Sequence, residues 1–346
     1  MGMGDDSLRR GDLVEVRSAS EILATLDERG MLDGLPFMPE MMRYCGRRLI
    51  VDNRAVKVCD TIFPLASGML PNTVLLGNLR CDGSGHDGCQ AACRLYWKEA
   101  WLRRVRPVKP PVGVNDDAAQ AALAQLTAQH AKRTVEVNGQ HATRYQCQAT
   151  ELNRASQRLT PWDPRAFLRV YTSGNVTLGH FLKVLARAAV EEPMRRLGLT
   201  PRVWVRGSGP GSVREVALNL QPGDLVQVKS REEIVATLDS EGKNRGLFFD
   251  REMLPYCGGT YRVKQRITRF INDREGGVMA ELKSDCVTLE GVVCSGEFSP
   301  VRWFCPRQIQ SFWRDVWLRR VEDSTSATSR AAIASAPHHP GSGQLG

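Results

Sequence analysis

The sequence predicts a mainly β protein of the α+β class, in which two small, partly open β-barrels are separated by a helical insert. The first observation is a duplication, because residues 11–30 (GDLVEVRSASEILATLDERG) and 223–242 (GDLVQVKSREEIVATLDSEG) match at most positions without a gap. Self-similarity at this level means that the two segments fold alike. The second is a series of short alternating apolar runs between Gly-rich loops, and the third is a pair of helical patterns between the two copies.

The duplication extends over most of two repeats of about one hundred residues each, a plausible size for a single domain. Further matching segments are 35–46 with 247–258, 72–81 with 285–294, and 97–105 with 313–321. The predicted division is a disordered N-terminus (1–9), a first repeat (10–106), a linker and mainly helical insert (107–221), a second repeat (222–322) and a disordered tail (323–346).

Each repeat is predicted to consist of short strands and one helix. In the first repeat, Ser18 or Ser20 can cap a helix in which apolar residues recur at helical spacing, and Gly30 ends it. Strands are predicted over 13–16, from near 47, over 73–80 and over 100–105. Short strands in which the last returns to the first favour a partly open barrel of the SH3-like kind.

The insert is predicted to be mainly helical. An alanine-rich segment over 116–132 indicates a helix capped by Asn115 or Asp116. A basic amphipathic helix is predicted over 177–197, which packs on the repeats or lies against a membrane or a partner. GSGPGS (207–212) is read as a flexible join to the second repeat.

The ten cysteines are the most informative residues for function. Clustered thiols in a reducing compartment indicate metal binding more often than cross-links. Alignment of the repeats pairs Cys45 with Cys257, Cys81 with Cys294, and Cys89 with Cys305, and leaves Cys59, Cys93 and Cys286 specific to one half.

Metal binding is the predicted role of these thiols, with zinc as the ion, because four thiolates fill a tetrahedral structural zinc site. Cys89 and Cys93 lie four apart at a predicted helix start, and Cys286 and Cys294 lie eight apart on a predicted strand, so each pair would share a side. The predicted ligands are Cys59, Cys81, His86, Cys89, Cys93, Cys257, Cys286, Cys294 and Cys305.

Other interpretations of the same residues stay open. Free cysteines are often small buried hydrophobes, and Cys45 and Cys257 fit that interpretation as well as ligation. An iron–sulfur cluster ranks below zinc because neither run has ferredoxin spacing. Asp82 and Asp87 could orient the His86 imidazole or form turns. Cys89, near His86, is the best candidate for a catalytic thiol, but no catalytic residue is predicted.

Composition restricts the other function classes. The net charge of +9 suits an anionic partner, but the arginines are scattered and favour nucleic acid only weakly. The tryptophans that stand four apart in each repeat favour core packing over stacking on bases. No run is long and apolar enough for a membrane span, and the first residues lack the apolar centre of a signal peptide, so a cytoplasmic location is expected.

Several motifs together resemble a family of bacterial proteins of unassigned biochemistry, found near exopolysaccharide and secondary-metabolite genes. They are GDLVEVRSASEILATLD, LPFMPEMMRYCG, RCDGSGHDGCQAAC, YQCQATEL, LEGVVC, FCPR and WLRRV. The GD-x-V-x-V opening and Trp-bearing last strand are more distantly similar to SH3-like barrels such as the nitrile hydratase β subunit and KOW modules. The bacterial family itself gives no function, and the SH3-like likeness implies a non-catalytic accessory or scaffold role with a protein partner. The alternatives are a nucleic-acid-binding protein and a thiol-dependent enzyme using Cys89.

Overall fold

The computed structural model shows an α+β protein that is mainly β, with several sheets and a few helices. Each repeat contributes a five-stranded antiparallel sheet, and the insert contributes most of the helical residues. The structure describes residues 7–60, 62, 66–105, 116–137, 140–160, 163–199, 204–213, 217–282, 286–298 and 301–321.

The first repeat contains a sheet with the strand order β8-β7-β4-β1-β9. Its elements are β1 (Leu13–Val16), α1 (Ala19–Leu23), β2 (Met31–Leu32), β3 (Leu35–Pro36), a 3₁₀ helix (Pro39–Tyr44), β4 (Arg48–Arg54), β5 (Val58–Cys59), β6 (Ser67–Met69), β7 (Thr73–Arg80), β8 (Arg94–Lys98), a 3₁₀ helix (Glu99–Trp101) and β9 (Leu102–Arg104). The strand predicted over 73–80 is confirmed.

The insert contains four helices and three strands among its described residues. They are α2 (Asp117–Ala131), β10 (Lys132–Val137), β11 (Gln140–Tyr145), α3 (Gln148–Ala155), β12 (Gln157–Arg158), α4 (Pro164–Thr172) and α5 (Leu178–Arg196). The helices predicted over 116–132 and 177–197 are confirmed as α2 and α5.

The second repeat contains a sheet with the strand order β20-β19-β16-β13-β21. Its elements are β13 (Leu225–Val228), α6 (Arg231–Val235), β14 (Lys243–Asn244), β15 (Leu247–Phe248), a 3₁₀ helix (Arg251–Tyr256), β16 (Thr260–Arg266), β17 (Arg269–Asn272), β18 (Val278–Glu281), β19 (Cys286–Leu289), β20 (Trp313–Arg314), a 3₁₀ helix (Asp315–Trp317) and β21 (Leu318–Arg320).

The two five-stranded sheets have corresponding strand orders and pairings. In the first repeat β1 pairs with β4 and β9, and in the second repeat β13 pairs with β16 and β21, all antiparallel. Val14 and Val226 are aligned residues at the centre of these strands, and both are fully buried. The matched sequences therefore form matched local structure.

The insert adds a strand to one hairpin from each repeat. β12 pairs with β6 of the β5–β6 hairpin, and β11 pairs with β18 of the β17–β18 hairpin. Antiparallel pairing of this kind satisfies backbone groups that would otherwise form an exposed sheet edge. The insert is therefore packed against both repeats through hydrogen-bonded strands.

The tryptophans that stand four apart form the cores of the repeats. Trp97, Trp101, Trp313 and Trp317 are fully buried. The indole N–H of Trp101 donates to Thr25 Oγ1, and that of Trp317 donates to Thr237 Oγ1, each at 3.0 Å. The predicted core packing is confirmed, because a fully buried ring offers no face on which a base could stack.

Asp116 occupies the N-cap position of α2, as predicted, but its side chain bonds to another helix. It precedes α2, but its side chain accepts no hydrogen bond from that helix. Its carboxylate accepts instead from the backbone N–H groups of Ala19 (2.6 Å) and Ser20 (3.2 Å) in α1. The insert thus supplies an anion to the N-terminus of a helix in the first repeat, where the helix dipole favours negative charge. Asn115 lies outside the described residues.

The interpretation of 207–212 as a flexible join is wrong. Gly209 donates its N–H to the Leu238 carbonyl oxygen at 2.8 Å. A Cβ at this position would lie 1.9 Å from the Ala236 carbonyl oxygen. The glycine is needed because two backbone segments approach closely, which only a residue without a side chain permits.

The predicted disordered ends lie largely outside the described residues, which begin at Ser7 and end at Val321. Leu8, within the segment 1–9, is buried in the core of the first repeat. In α5, Val184 and Ala188 pack in a cluster with Trp303. Among the described residues, no helix is both long and apolar enough to cross a membrane.

Candidate metal centre

Glu40, Cys81 and His86 come together in the first repeat. Glu40 lies in the 3₁₀ helix Pro39–Tyr44, Cys81 follows β7, and His86 lies in the Gly-rich loop after it. One ligand atom from each residue lies within 4.8 Å of the other two. Within the described part of the chain, this is the one group of three or more His, Cys, Asp or Glu residues that could hold a metal ion.

The three side chains are arranged around one carboxylate oxygen. Glu40 Oε1 lies 2.7 Å from His86 Nδ1 and 3.5 Å from Cys81 Sγ, and it accepts the Gly85 N–H at 3.1 Å. Glu40 Oε2 is buried and has no hydrogen-bond partner. An unsatisfied buried carboxylate oxygen is costly, so this atom is a free ligand position.

Two glycines allow the loop to fold onto Glu40. Gly83 has a φ of +75°, and a Cβ there would lie 2.1 Å from the Cys89 carbonyl oxygen. A Cβ at Gly85 would lie 2.8 Å from Pro39 in the 3₁₀ helix. Because both approaches exclude a side chain, the glycine spacing brings His86 into contact with the buried carboxylate.

The backbone fixes the orientation and tautomer of the imidazole. His86 Nε2 lies 3.1 Å from the Gln146 carbonyl oxygen, which can only accept. The Nε2 atom must therefore carry a proton, and Nδ1 is the atom that faces Glu40. This is the arrangement by which a backbone carbonyl orients a metal-binding histidine.

Without an ion, His86 and Glu40 form a buried hydrogen-bonded pair whose pKa shifts both favour the charged forms. Burial alone would lower the pKa of His86, but the hydrogen bond and charge of Glu40 raise it above 6.5. Burial alone would raise the pKa of Glu40, but the hydrogen bond from His86 lowers it below 4.5. Burial, followed by the Glu40 charge, raises the pKa of Cys81 far above its usual range, so Cys81 is a thiol. A metal ion would replace the Nδ1 proton and the thiol proton.

At the aligned position of the second repeat, both carboxylate oxygens have hydrogen-bond partners within the protein. Glu252 is the counterpart of Glu40, and both of its carboxylate oxygens accept hydrogen bonds. The donors are the N–H groups of Gly296 (3.1 Å), Glu297 (3.3 Å) and Phe298 (2.8 Å) and the Ser295 hydroxyl (2.8 Å). The two repeats therefore use the same buried glutamate to hold the same loop, but His86 and Cys81 replace several of these donors in the first repeat.

Three of the predicted ligands, Cys59, Cys89 and Cys305, lie in two contacts between the repeats. The Cys59 N–H donates to Cys305 Sγ at 3.2 Å, and the Ile271 N–H donates to Cys89 Sγ at 3.3 Å. Cys59 aligns with Ile271, and Cys305 with Cys89. Each contact joins a hairpin of one repeat to the cysteine-bearing loop of the other repeat. In both contacts the acceptor is the sulfur of an aligned cysteine, Cys305 or Cys89.

Electrostatics distinguish the Cys59 and Cys305 pair from the other thiols. The hydrogen bond from Cys305 lowers the pKa of Cys59 to about 5, against the effect of burial and with help from the charges of Arg307 and Arg302. Burial raises the pKa of Cys305 well above 9.0. These opposite shifts favour a thiolate on Cys59, which the surrounding cations would stabilise.

The remaining predicted ligands lie elsewhere. Cys93 and Cys294 line a cavity between the repeats. Cys286 is buried in β19, and Cys257 is half-buried at the end of a 3₁₀ helix. For the predicted ligands outside the cluster, metal binding stays a prediction.

Two predictions, that each of two cysteine pairs lies on one side of a regular element, are wrong. No helix begins between Cys89 and Cys93, because the segment is irregular and β8 starts at Arg94. Cys286 and Cys294 do not share a strand, because β19 ends at Leu289 and a turn follows. Even spacing within these pairs therefore says nothing about which face they occupy.

Glu40 was not predicted as a ligand. Two other carboxylates, Asp82 and Asp87, were considered as groups that orient His86. Asp82 pairs with Arg43, and Asp87 accepts from Lys132 at 2.9 Å and from the Tyr145 hydroxyl at 2.7 Å. The signal for Glu40 was available, because the same position holds glutamate in both repeats. A charged residue kept within an apolar segment of both copies indicates a buried, partnered carboxylate.

The fold and the site together define a mainly β protein of the α+β class with one Glu–Cys–His cluster that could hold a metal ion. No protein-family model, curated protein or solved structure matches the chain. The geometry of the Glu–Cys–His cluster and the contacts between the repeats are therefore the observations that bear on the function of this protein.

Proposed function

We propose that this is a non-catalytic metal-binding protein, in which zinc held by Glu40, Cys81 and His86 fixes the loop of the first repeat against its core. The observation that carries the proposal is the buried Glu40 carboxylate: its Oε1 lies 2.7 Å from His86 Nδ1 and 3.5 Å from Cys81 Sγ, and its Oε2 has no hydrogen-bond partner. A structural ion contributes free energy of folding directly.

The donor set favours zinc over other common ions. Zinc accepts thiolate, imidazole and carboxylate ligands, whereas magnesium and calcium prefer oxygen ligands throughout. Glu40 and His86 are buried and Cys81 is half-buried. The fourth position of a tetrahedral site would therefore lie on the Cys81 side, where a group from a partner could close the site, as a structural ion requires.

The proposed architecture is a duplication of an SH3-like, partly open barrel, and the proposed role is that of an accessory or scaffold in a bacterial biosynthetic pathway. The corresponding strand orders and pairings of the two sheets support the duplication. The accessory role is proposed by analogy with SH3-like modules that present binding surfaces.

The protein purified without an affinity tag should contain about one equivalent of zinc, as expected for a single structural site. Replacing Cys81 with serine should remove most of it, because a thiolate ligand is lost. Elemental analysis measures the content, and cobalt substitution should give a thiolate-to-cobalt absorption band that is absent in Cys81→Ser.

The matched control is Glu252→Gln, which alters the aligned carboxylate of the second repeat. It should reduce stability, because three backbone N–H groups lose a charged acceptor, and it should leave the zinc content unchanged. A wild-type protein with less than ~0.1 equivalent of zinc, or a Cys81→Ser variant with undiminished zinc, would contradict the proposed site.

The stabilisation by zinc should increase from pH 6 to pH 8. Binding must displace protons from His86 and Cys81, whose pKa values are both raised in the metal-free protein, so acid favours the metal-free state. The measurement is the difference in Tm between zinc-loaded and chelated protein at each pH. A difference that is constant over this range, or larger at pH 6, would show that these groups are not the ligands.

A further inference from the structure

Exposed apolar side chains are concentrated in α4, in α5 and in the residues that follow α5. Of the ten large apolar residues that are exposed in the described part of the chain, eight lie between residues 168 and 199. They are Leu168, Tyr171, Leu178, Leu182, Val190, Met194, Leu197 and Leu199. Single exposed apolar residues are normal, but a contiguous apolar patch marks an interaction site.

The exposed apolar residues of α5 share one face of the helix. This apolar face consists of four large residues and three small ones. They are Leu178, Leu182, Ala186, Ala189, Val190, Pro193 and Met194, all exposed. At about 100° per residue, these positions fall within about 160° of arc. The patch is therefore continuous along most of the helix.

The opposite face of α5 fixes the helix on the second repeat. Val184 and Ala188 are buried in a cluster with Trp303, and Glu191 pairs with Arg251 at 2.6 Å. Because α5 is held by this side, its apolar face points away from the protein. The exposure of the apolar face thus follows from the packing of the helix.

The exposed charged residues of α4 and α5 are all cationic. They are Arg165, Lys183 and Arg196, and the last two lie near the two edges of the apolar face at helical spacing. The three acidic residues between 163 and 199 are buried or half-buried. Six residues in this range are Lys or Arg, so the segment has an excess of positive charge.

Four cations of α5 share two carboxylates. The groups are Lys183 and Arg187 with Glu297, and Arg195 and Arg196 with Glu192. Because two cations share one carboxylate, each group keeps one unit of positive charge. A negatively charged partner complements these edges, whereas a second copy of the same face would bring like charges together.

We propose that the apolar face of α5, together with Leu197 and Leu199, docks on the surface of an anionic lipid bilayer. The apolar side chains enter the boundary between headgroups and acyl chains, and Lys183 and Arg196 contact lipid phosphates at the edges. The large residues of this face are aliphatic, whereas aromatic residues and Arg dominate the centres of protein interfaces, where Leu and Val contribute little. A lipid surface is therefore favoured over a folded protein.

Cosedimentation of the full-length protein with lipid vesicles tests the proposal. One set of vesicles is pure phosphatidylcholine, and the other contains about 30% phosphatidylserine. We expect binding to the anionic vesicles to be at least about 10-fold tighter than binding to the neutral ones, because each cation near the surface contributes about 5-fold. Salt should weaken the binding by screening these charges.

Leu182→Gln combined with Val190→Gln should weaken binding to the anionic vesicles about 10-fold or more, because apolar area is lost without a change of charge. The matched control is Ile50→Gln, since Ile50 is 57% exposed but lies in β4 of the first repeat. It should leave binding unchanged. Lys183→Gln combined with Arg196→Gln should cost about 5-fold for each charge removed. Circular dichroism checks that every variant is folded.

The proposal is overturned if the protein stays in the supernatant with anionic vesicles, or if the folded Leu182→Gln, Val190→Gln variant binds them as well as the wild type. Equal binding to neutral and anionic vesicles would overturn the assignment of an anionic surface. Self-association that this variant abolishes, measured by sedimentation equilibrium, would show that a second copy covers the face. The surface shares no residue with the Glu40, Cys81 and His86 cluster, so the outcome does not depend on the proposed metal.

Discussion

Replacing His86 with alanine should lower the free energy of unfolding of the chelated protein by about 3 kcal/mol at pH 7. The substitution leaves the Glu40 carboxylate buried without its cationic partner. The cost is limited by protonation, since protonating a carboxyl whose ordinary pKa is 4.5 costs about 1.4 kcal/mol for each pH unit above that value. Urea unfolding in the presence of a chelator measures the loss.

The pH dependence of this loss follows from the two pKa shifts. The lowered pKa of Glu40 contributes stability above pH 4.5, and this contribution is lost in acid. The raised pKa of His86 contributes stability below pH 6.5, and this contribution is lost as the pH rises. The ion pair is therefore most stabilising relative to the unfolded chain between these values. In His86→Ala, by contrast, Glu40 takes up a proton easily at pH 5, so the loss should be smaller there than at pH 7.

The control for this experiment is the double variant Glu40→Gln with His86→Ala. It removes both charges and keeps an acceptor for the Gly85 N–H, so it should recover a large part of the stability lost by the single variant. If the single variant loses only about 1 kcal/mol at pH 7, the value for an ordinary neutral hydrogen bond, the pair is not ionic.

Replacing Cys59 with alanine should cost about 2–3 kcal/mol at pH 9, as expected for hydrogen bonds to a charged group. The thiolate accepts from Cys305 and lies beside the buried guanidinium of Arg307. The pKa of Cys59 falls from 9.0 to about 5 on folding. Its contribution is therefore fully present above pH 9 and is lost as pH falls through 5, so the cost should shrink towards pH 5.

Urea unfolding under reducing conditions at pH 5, 7 and 9 measures this dependence. Cys45→Ala is the control, because burial and the Asp116 charge raise the pKa of Cys45 to about 11. At pH 5 and pH 7 this thiol is protonated in both the folded and the unfolded chain, so the cost of Cys45→Ala should be equal there, and it should fall only slightly at pH 9, where the unfolded thiol begins to ionise. Equal costs of Cys59→Ala at pH 5 and pH 9 would show that the pair between the repeats holds no thiolate.

The metal site shows how far the sequence alone could lead. Cys81 and His86 were predictable as candidate ligands because thiol and imidazole stand close together in a loop rich in glycine. Glu40 lies 41 residues before Cys81 in the chain, and local spacing gives no information about contacts at that distance. The aligned glutamate in the other repeat could have indicated it, but its partners could not be read from the sequence.

For the cysteines between the repeats, the sequence predicted which positions are equivalent but not what they contact. The alignment placed Cys89 and Cys305 at equivalent positions, which predicted a shared role but not its kind. Their role depends on which hairpin lies opposite each sulfur, and that hairpin belongs to the other repeat. A pattern within one repeat cannot report a contact with a second repeat, because the relative placement of the two is set by their packing with the insert.

The sequence by itself determined part of the local structure of this protein: the strands that begin near 13, 47 and 73, the two long helices of the insert, the repeated core tryptophans, and the loop that carries Cys81 and His86. Periodicity and turn residues fix these features over short distances, where each residue meets its near neighbours in the chain. The tertiary structure decided which groups meet: a buried glutamate with a histidine, a thiol with its counterpart in the other repeat, and the buried face of α5 with the second repeat. These contacts depend on how the core packs, and packing depends on the whole chain at once.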